Sequence, residues 1–188
     1  MSYRSPLGFS ILAIALTAVG LSLSLRVLRA GEPQTPQSTT LSVPESIREE
    51  HEHIHAALVA LTKVDGAVGK AATALAEALH PHFVREEEIA LPPLGLLAPL
   101  AAGKSPAGME EALVMTDALR KELPRMLEEH KVIRAATENL LRVGRQERHT
   151  AAQEFATTLA AHAQQEEEIL YPAAILVGDV IRARTGKR

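Results

Sequence analysis

The sequence predicts an all-α protein: an antiparallel four-helix bundle with an N-terminal hydrophobic helix and a short C-terminal helix. Three observations predict it. The apolar positions of this 188-residue chain are mostly Ala and Leu, aromatics make up only 3%, and β-branched runs are scarce, a balance that favours helix over strand. Apolar residues recur at alternating steps of three and four, the spacing of a helix face turned to a core. The chain also repeats itself: HFVREEEIALP at residues 82–92 returns as HAQQEEEILYP at residues 162–172, an offset of 80. Two similar helix pairs close naturally into an antiparallel bundle.

Composition sets the outer limits of function. A net charge of −3 points away from nucleic acid and other polyanions. There are no cysteines. That removes disulfides, thiol catalysis, iron–sulfur clusters and zinc–thiolate sites together. Eight histidines remain as nitrogen donors, five of them at positions 51, 53, 55, 80 and 82.

Residues 1–30 read as a signal-anchor or transmembrane helix. Residues 7–25 carry no charge and lie between Arg4 and the pair Arg26 and Arg29. As a helix the run would be about 28 Å long, close to the hydrocarbon thickness of a bilayer. A cleaved secretory signal is the alternative, although Leu28, Arg29 and Ala30 make a poor small-x-small cleavage site. Residues 31–44 are rich in Pro, Gln, Ser and Thr, as in a flexible linker. The expectation is a protein anchored in the membrane through residues 7–25. Its bundle domain, residues 45–185, would lie outside the cytoplasm, on the periplasmic or outer face, or be secreted if the signal is cleaved.

The first bundle helix should start at Pro44 or Ser46 and end at Asp65 and Gly66, with Ile47, His51, Ile54, Leu58 and Leu61 as its seam. The second covers about residues 68–90, with Leu75, Leu79, His82, Glu86 and Ile89 facing inward and Pro81 expected to bend it. Residues 91–108 read as a loop from their Pro and Gly content, yet they are unusually apolar. They are expected to fold over one end of the bundle, with a membrane-facing or dimer surface as the alternative. The third helix covers about residues 109–143, with Pro124 kinking it or opening its second part. Its seam is Leu123, Leu127, His130, Ile133 (or Arg134), Thr137 and Leu140, and Gly144 ends it. The fourth covers about residues 148–170, with seam Phe155, Leu159, His162, Glu166 and Ile169. Tyr171 and Pro172 should break it before a short closing helix at about residues 173–184.

The second and fourth helices match seam for seam: Leu75 with Phe155, Leu79 with Leu159, His82 with His162, Glu86 with Glu166. The first and third match at an offset of 79, EEHEHIHAA against EEHKVIRAA, which pairs His51 with His130. Each matched His and Glu takes the place of an apolar residue in a seam. Burying them without partners would cost several kcal/mol per group. A bound cation relieves that cost, because it neutralises the carboxylates and uses the imidazole lone pairs. A buried His–Glu hydrogen bond within each helix accounts for one pair, but not for two pairs and two further seam histidines converging. Four imidazoles and two bridging carboxylates leave room for a small exogenous ligand on two octahedral ions. That donor set suits iron or manganese better than a closed zinc site.

These residues resemble the hemerythrin-like family, the HHE cation-binding domain. The matching phrases are EEHEHIHAAL, HPHFVREEEIALP, LEEHKVIRAA and HAQQEEEILYP, and the resemblance covers about residues 44–175. It implies a non-heme di-iron centre with carboxylate and oxygen bridges, whose ligands would be His51, His82, Glu86, His130, His162 and Glu166. It also implies binding of dioxygen, or handling of iron, nitric oxide or peroxide. Oxygen carriers of the family have a His-x-x-x-His pair on the third helix and an aspartate on the fourth. Here position 134 is Arg and the fourth-helix acid is Glu166. His55, four residues after His51, is a candidate fifth imidazole from the pseudo-symmetric position. Its other reading is a boundary residue like its counterpart Arg134. Glu87, Glu88, Glu167 and Glu168 read as solvated or as partners of the ligands, and His53, His80 and His149 as surface or supporting residues. Glu-x-x-His spacing, familiar from ferritin-like di-iron bundles, occurs at Glu52–His55 and Glu77–His80 but does not recur on the later helices.

A binding, sensing or storage protein for iron and a small ligand is therefore the first functional reading. A di-iron enzyme that decomposes peroxide or acts as an oxidase is the second. A metal-free, membrane-tethered interaction bundle is the third.

Overall fold

The computed structural model describes residues 41–187. Every element among them is helical: α1 (Glu45–Thr62), α2 (Ala67–Arg85), a π-helical turn (Glu86–Ala90), a 3-10 turn (Pro92–Leu96), α3 (Leu97–Ala101), α4 (Met109–Gln146), α5 (Thr150–Gln165), a second π-helical turn (Glu166–Leu170) and α6 (Tyr171–Thr185). α1 packs on α2, α2 on α4, α4 on α5, and α5 back on α1. That ring is the four-helix bundle the seams predict. α2 and α4 continue as helix through Pro81 and Pro124.

The α1–α2 connection is short because Gly66 adopts φ 86, a left-handed conformation that a side chain would strain. Further along, α6 lies so close to α4 that a Cβ on Gly178 would sit 2.3 Å from Thr116 Oγ1. α4, at 38 residues, is about 57 Å long. Its second half packs in the bundle and its first half against α6.

Three apolar clusters result, two of which flank the seam histidines. One holds Ile54, Leu58, Leu75, Leu79, Ile133, Leu140, Phe155 and Leu159. The other holds Ala90, Leu91, Leu94, Leu119, Met126, Tyr171 and Ala174. On each bundle helix the seam histidine falls between a residue packed in the second cluster and one packed in the first: Ile47 and Ile54 around His51, Ala90 and Leu79 around His82, Met126 and Ile133 around His130, Tyr171 and Leu159 around His162. The polar layer is thus capped by hydrocarbon at both ends.

The apolar stretch after residue 90 is not a loop throughout. It forms the 3-10 turn and α3, and it folds over the end of the bundle, burying Leu94, Leu96 and Leu100 against α4 and α6. Burial of each such side chain is worth about 1.5–3 kcal/mol.

The membrane-anchored localisation is corrected. Among the described residues no helix is long and apolar enough to cross a membrane. α6 is only 15 residues long and ends with Arg182 and Arg184; α4 is long enough but charged along its length. The hydrophobic run at residues 7–25 and residues 31–40 of the linker expected at 31–44 lie outside the described residues.

Candidate metal centre

His51, His82, His130 and His162 project from four different helices and are all buried, as are Glu86 and Glu166. The donor atoms fall into two groups, each within 4.8 Å: His82, Glu86, His130 and Glu166 in one, His51, His162 and Glu166 in the other. Glu166 belongs to both. Its Oε1 lies 2.8 Å from His162 Nε2 and 3.5 Å from His51 Nε2, and its Oε2 lies 3.5 Å from His130 Nε2. Glu86 Oε1 lies 3.4 Å from His82 Nε2.

The outward nitrogens explain which lone pairs face inward. His82 Nδ1 donates to Glu129 Oε2 at 2.9 Å, His130 Nδ1 to Glu167 Oε1 at 2.7 Å, and His162 Nδ1 to Glu50 Oε1 at 3.2 Å. An ionised carboxylate can only accept, so in each neutral imidazole the proton sits on Nδ1 and Nε2 presents its lone pair to the centre. The fourth partner is weaker: Glu87 Oε1 stands 3.4 Å from His51 Nδ1, without hydrogen-bond geometry. All four carboxylates belong to the repeat. Glu50 and Glu129 each precede a seam histidine, and Glu87 and Glu167 each come directly after a seam glutamate. Two are clamped in turn: Arg125 Nε donates to Glu129 at 2.9 Å, and Arg134 Nη1 to Glu167 at 2.6 Å.

The π-helical turns set the second part of the geometry. In each, the amide five residues on closes the ring: Leu91 N–H donates to Glu86 O at 2.9 Å, and Tyr171 N–H to Glu166 O. The extra residue rotates the next turn of helix, so the fully buried seam positions become Leu91 and Tyr171; Ile89 still packs partly against the core, whereas Ile169 does not. Ile169 is accordingly 57% exposed and Tyr171 only 1%. The tyrosine hydroxyl donates to Glu86 Oε1 and lies 3.3 Å from Nε2 of both His82 and His130. Sequence reading missed this residue. The available signal was a polar aromatic in a repeat whose other copy has Leu91.

The set fits a metal. Buried atoms without hydrogen-bond partners include both ring nitrogens of His51 and Glu86 Oε2, while His162 Nε2 and Glu166 Oε1 face each other. Such orphans are costly in a protein interior, and imidazole nitrogens with carboxylate oxygens suit iron, manganese or zinc. Among the other predicted residues, His55 is exposed and lies beside His80, ring centroids 6.5 Å apart, outside both donor groups. His53, Glu88 and Glu168 are exposed. His149 caps α5, its Nδ1 accepting from Ala152 N–H at 3.2 Å.

Electrostatics divides the two central carboxyls. Burial and the nearby Glu166 charge push Glu86 above the usual carboxylate range, outweighing His82 and Tyr171. Burial also acts against the Glu166 charge, but His130, His162 and His51 hold it well below that range. Burial works to lower His162, yet Glu166, Glu50 and Glu86 outweigh it and carry the imidazole up to about 9. A folded value above the ordinary 6.5 means that the His162 proton stabilises the metal-free fold fully below about pH 6.5. The contribution is lost as the pH rises through about 9. The melting temperature of metal-free protein should therefore fall between about pH 7 and pH 9.5. Circular-dichroism melts check this, and a flat or rising trend would contradict it.

A family model described as hemerythrin HHE cation binding domain matches residues 42–174. No curated protein and no solved structure matches the chain.

Proposed function

Because the chain belongs to the hemerythrin HHE cation-binding domain family, we propose that it holds two iron ions in this cluster and binds a small ligand, dioxygen first, with nitric oxide or peroxide as relatives of the same chemistry. One ion would be held by His82, His130, Glu86 and Glu166, the other by His51, His162 and Glu166. The observation that carries this reading is the convergence of four imidazoles and two carboxylates with orphaned buried atoms at their centre. Those orphans also count against a metal-free interaction bundle.

Iron would supply redox chemistry and an open coordination position. The chain's own residues do the rest. Glu50, Glu129 and Glu167 fix imidazole orientation, the two apolar clusters keep bulk water from the polar layer, and Tyr171 holds Glu86. The His51–His162 position has fewer protein donors, and the repeat places Leu91 where the other half has Tyr171. The small ligand is therefore assigned to that position. Fe2+-loaded protein should change its visible spectrum on exposure to dioxygen and recover on degassing. A loaded protein with no spectral response to dioxygen, nitric oxide or peroxide would contradict the small-ligand reading.

The outer carboxylates give a graded test. Glu129→Ala should weaken metal affinity about 10–100-fold, because it frees the His82 ring. Glu88→Ala and Glu168→Ala, at exposed positions, should leave it unchanged. Competition against a chelator of known affinity measures all three, and equal effects would contradict the assignment of Glu129.

A further inference from the structure

The two halves of the repeat differ at the surface. On one side Arg134 and His130 both donate to Glu167, which is 25% exposed, and Ala163 is buried beneath. At the matching positions of the other half stand His55 for Arg134, Glu87 for Glu167, Phe83 for Ala163 and His80 for Ala160. Glu87 is 54% exposed and only loosely apposed to His51. A cleft of about 240 Å³ opens there between α1 and α2, lined by His51, Glu52, His55, His80, Phe83 and Glu87 together with Val84. At its floor His51 is 3% exposed, and neither of its ring nitrogens has a hydrogen-bond partner. The Phe83 ring stacks on His51 at 4.3 Å between centroids.

We propose that this cleft captures a divalent metal ion from solvent and passes it inward, with His55 and His80 as transient nitrogen donors and His51 as the receiving ligand. The proposal rests on the reading of the buried cluster as a metal centre. The imidazole lone pairs of His55 and His80 and the exposed carboxylate of Glu87 attract a cation, Glu52 being paired with Arg48, whereas on the opposite side Arg134 already occupies the matching carboxylate, Glu167. His51 suits the handover because no hydrogen bond anchors its outer nitrogen, unlike those of His82, His130 and His162. Phe83 lies over that ring, so an ion entering by this route passes beside an apolar cover.

Stopped-flow mixing of the metal-free full chain with Co2+, followed through its visible ligand-field bands, tests this. His55→Arg copies the closed half, and His55→Ala with His80→Ala removes the donors; all these positions are exposed, so folding is retained. Both variants should load about tenfold more slowly than wild type, while binding the same final number of ions. Loading within about twofold of wild type would overturn the capture route alone. A lower final stoichiometry would make these residues part of the centre and overturn their transient role. No uptake by wild type would instead overturn the metal-centre reading itself.

Discussion

Glu166→Gln is expected to empty both metal positions, the largest effect of any single substitution in the centre. Glu166 alone belongs to both donor groups, and its two oxygens face His162 and His51 on one side and His130 on the other. Glutamine keeps the shape but removes the charge, leaving two divalent ions with one buried anion fewer to balance them. His51→Ala removes a donor from only one group, so it should keep about one ion per chain where wild type holds about two. Co2+ titration with metal analysis distinguishes these outcomes. A Glu166→Gln protein that still binds two ions would show that the centre is not organised around this residue.

Removal of metal should produce the second large effect. The polar layer puts four imidazoles and two carboxyls between hydrocarbon clusters, and several of its atoms have no partner without a cation. One ion present at a thousandfold excess over its Kd stabilises a fold by about 4 kcal/mol. A domain of this size shifts by about 2–4 °C per kcal/mol. Stripping both ions should therefore lower Tm by at least about 10 °C, and adding Fe2+ or Co2+ back should restore it. Calorimetric melts before and after chelation measure the change. Equal melting temperatures would mean that the cluster is already satisfied without metal.

Much of this site was legible because burial of His and Glu at seam positions is so unfavourable that it marks a purpose. His51, His82, His130, His162, Glu86 and Glu166 stand out by period alone, and the structure brings all six into one buried layer. The register beyond each EEE run was not legible. A reading at 3.6 residues per turn puts Ile169 inward, whereas the π-helical turn adds a residue and delivers Tyr171. Such a turn has no local signature of its own, and in both copies it begins at the buried glutamate of the His/Glu layer. In α4 the seam runs through fully buried Met126 instead of Leu127, one residue from the expected register.

The supporting carboxylates were half visible. Glu87 and Glu167 lie in a run that looks like solvated surface, and only the fold shows that each leans back onto a histidine of another helix. His55 was legible as the partner of Arg134 in the repeat, but its exposure and its place beside His80 depend on how α1 and α2 pack. The long apolar segment read as a loop because Pro92 and Pro93 interrupt any helical period. They instead open a 3-10 turn that folds over α6.

The central claim, a paired metal centre built on the shared Glu166, is tested most directly by the metal-to-chain ratio of Fe2+-loaded protein with X-ray absorption at the iron edge. The account predicts about two irons per chain, with imidazole nitrogens and carboxylate oxygens around each and a second iron close by. A single ion per chain, or zinc retained with no affinity for iron, would contradict it.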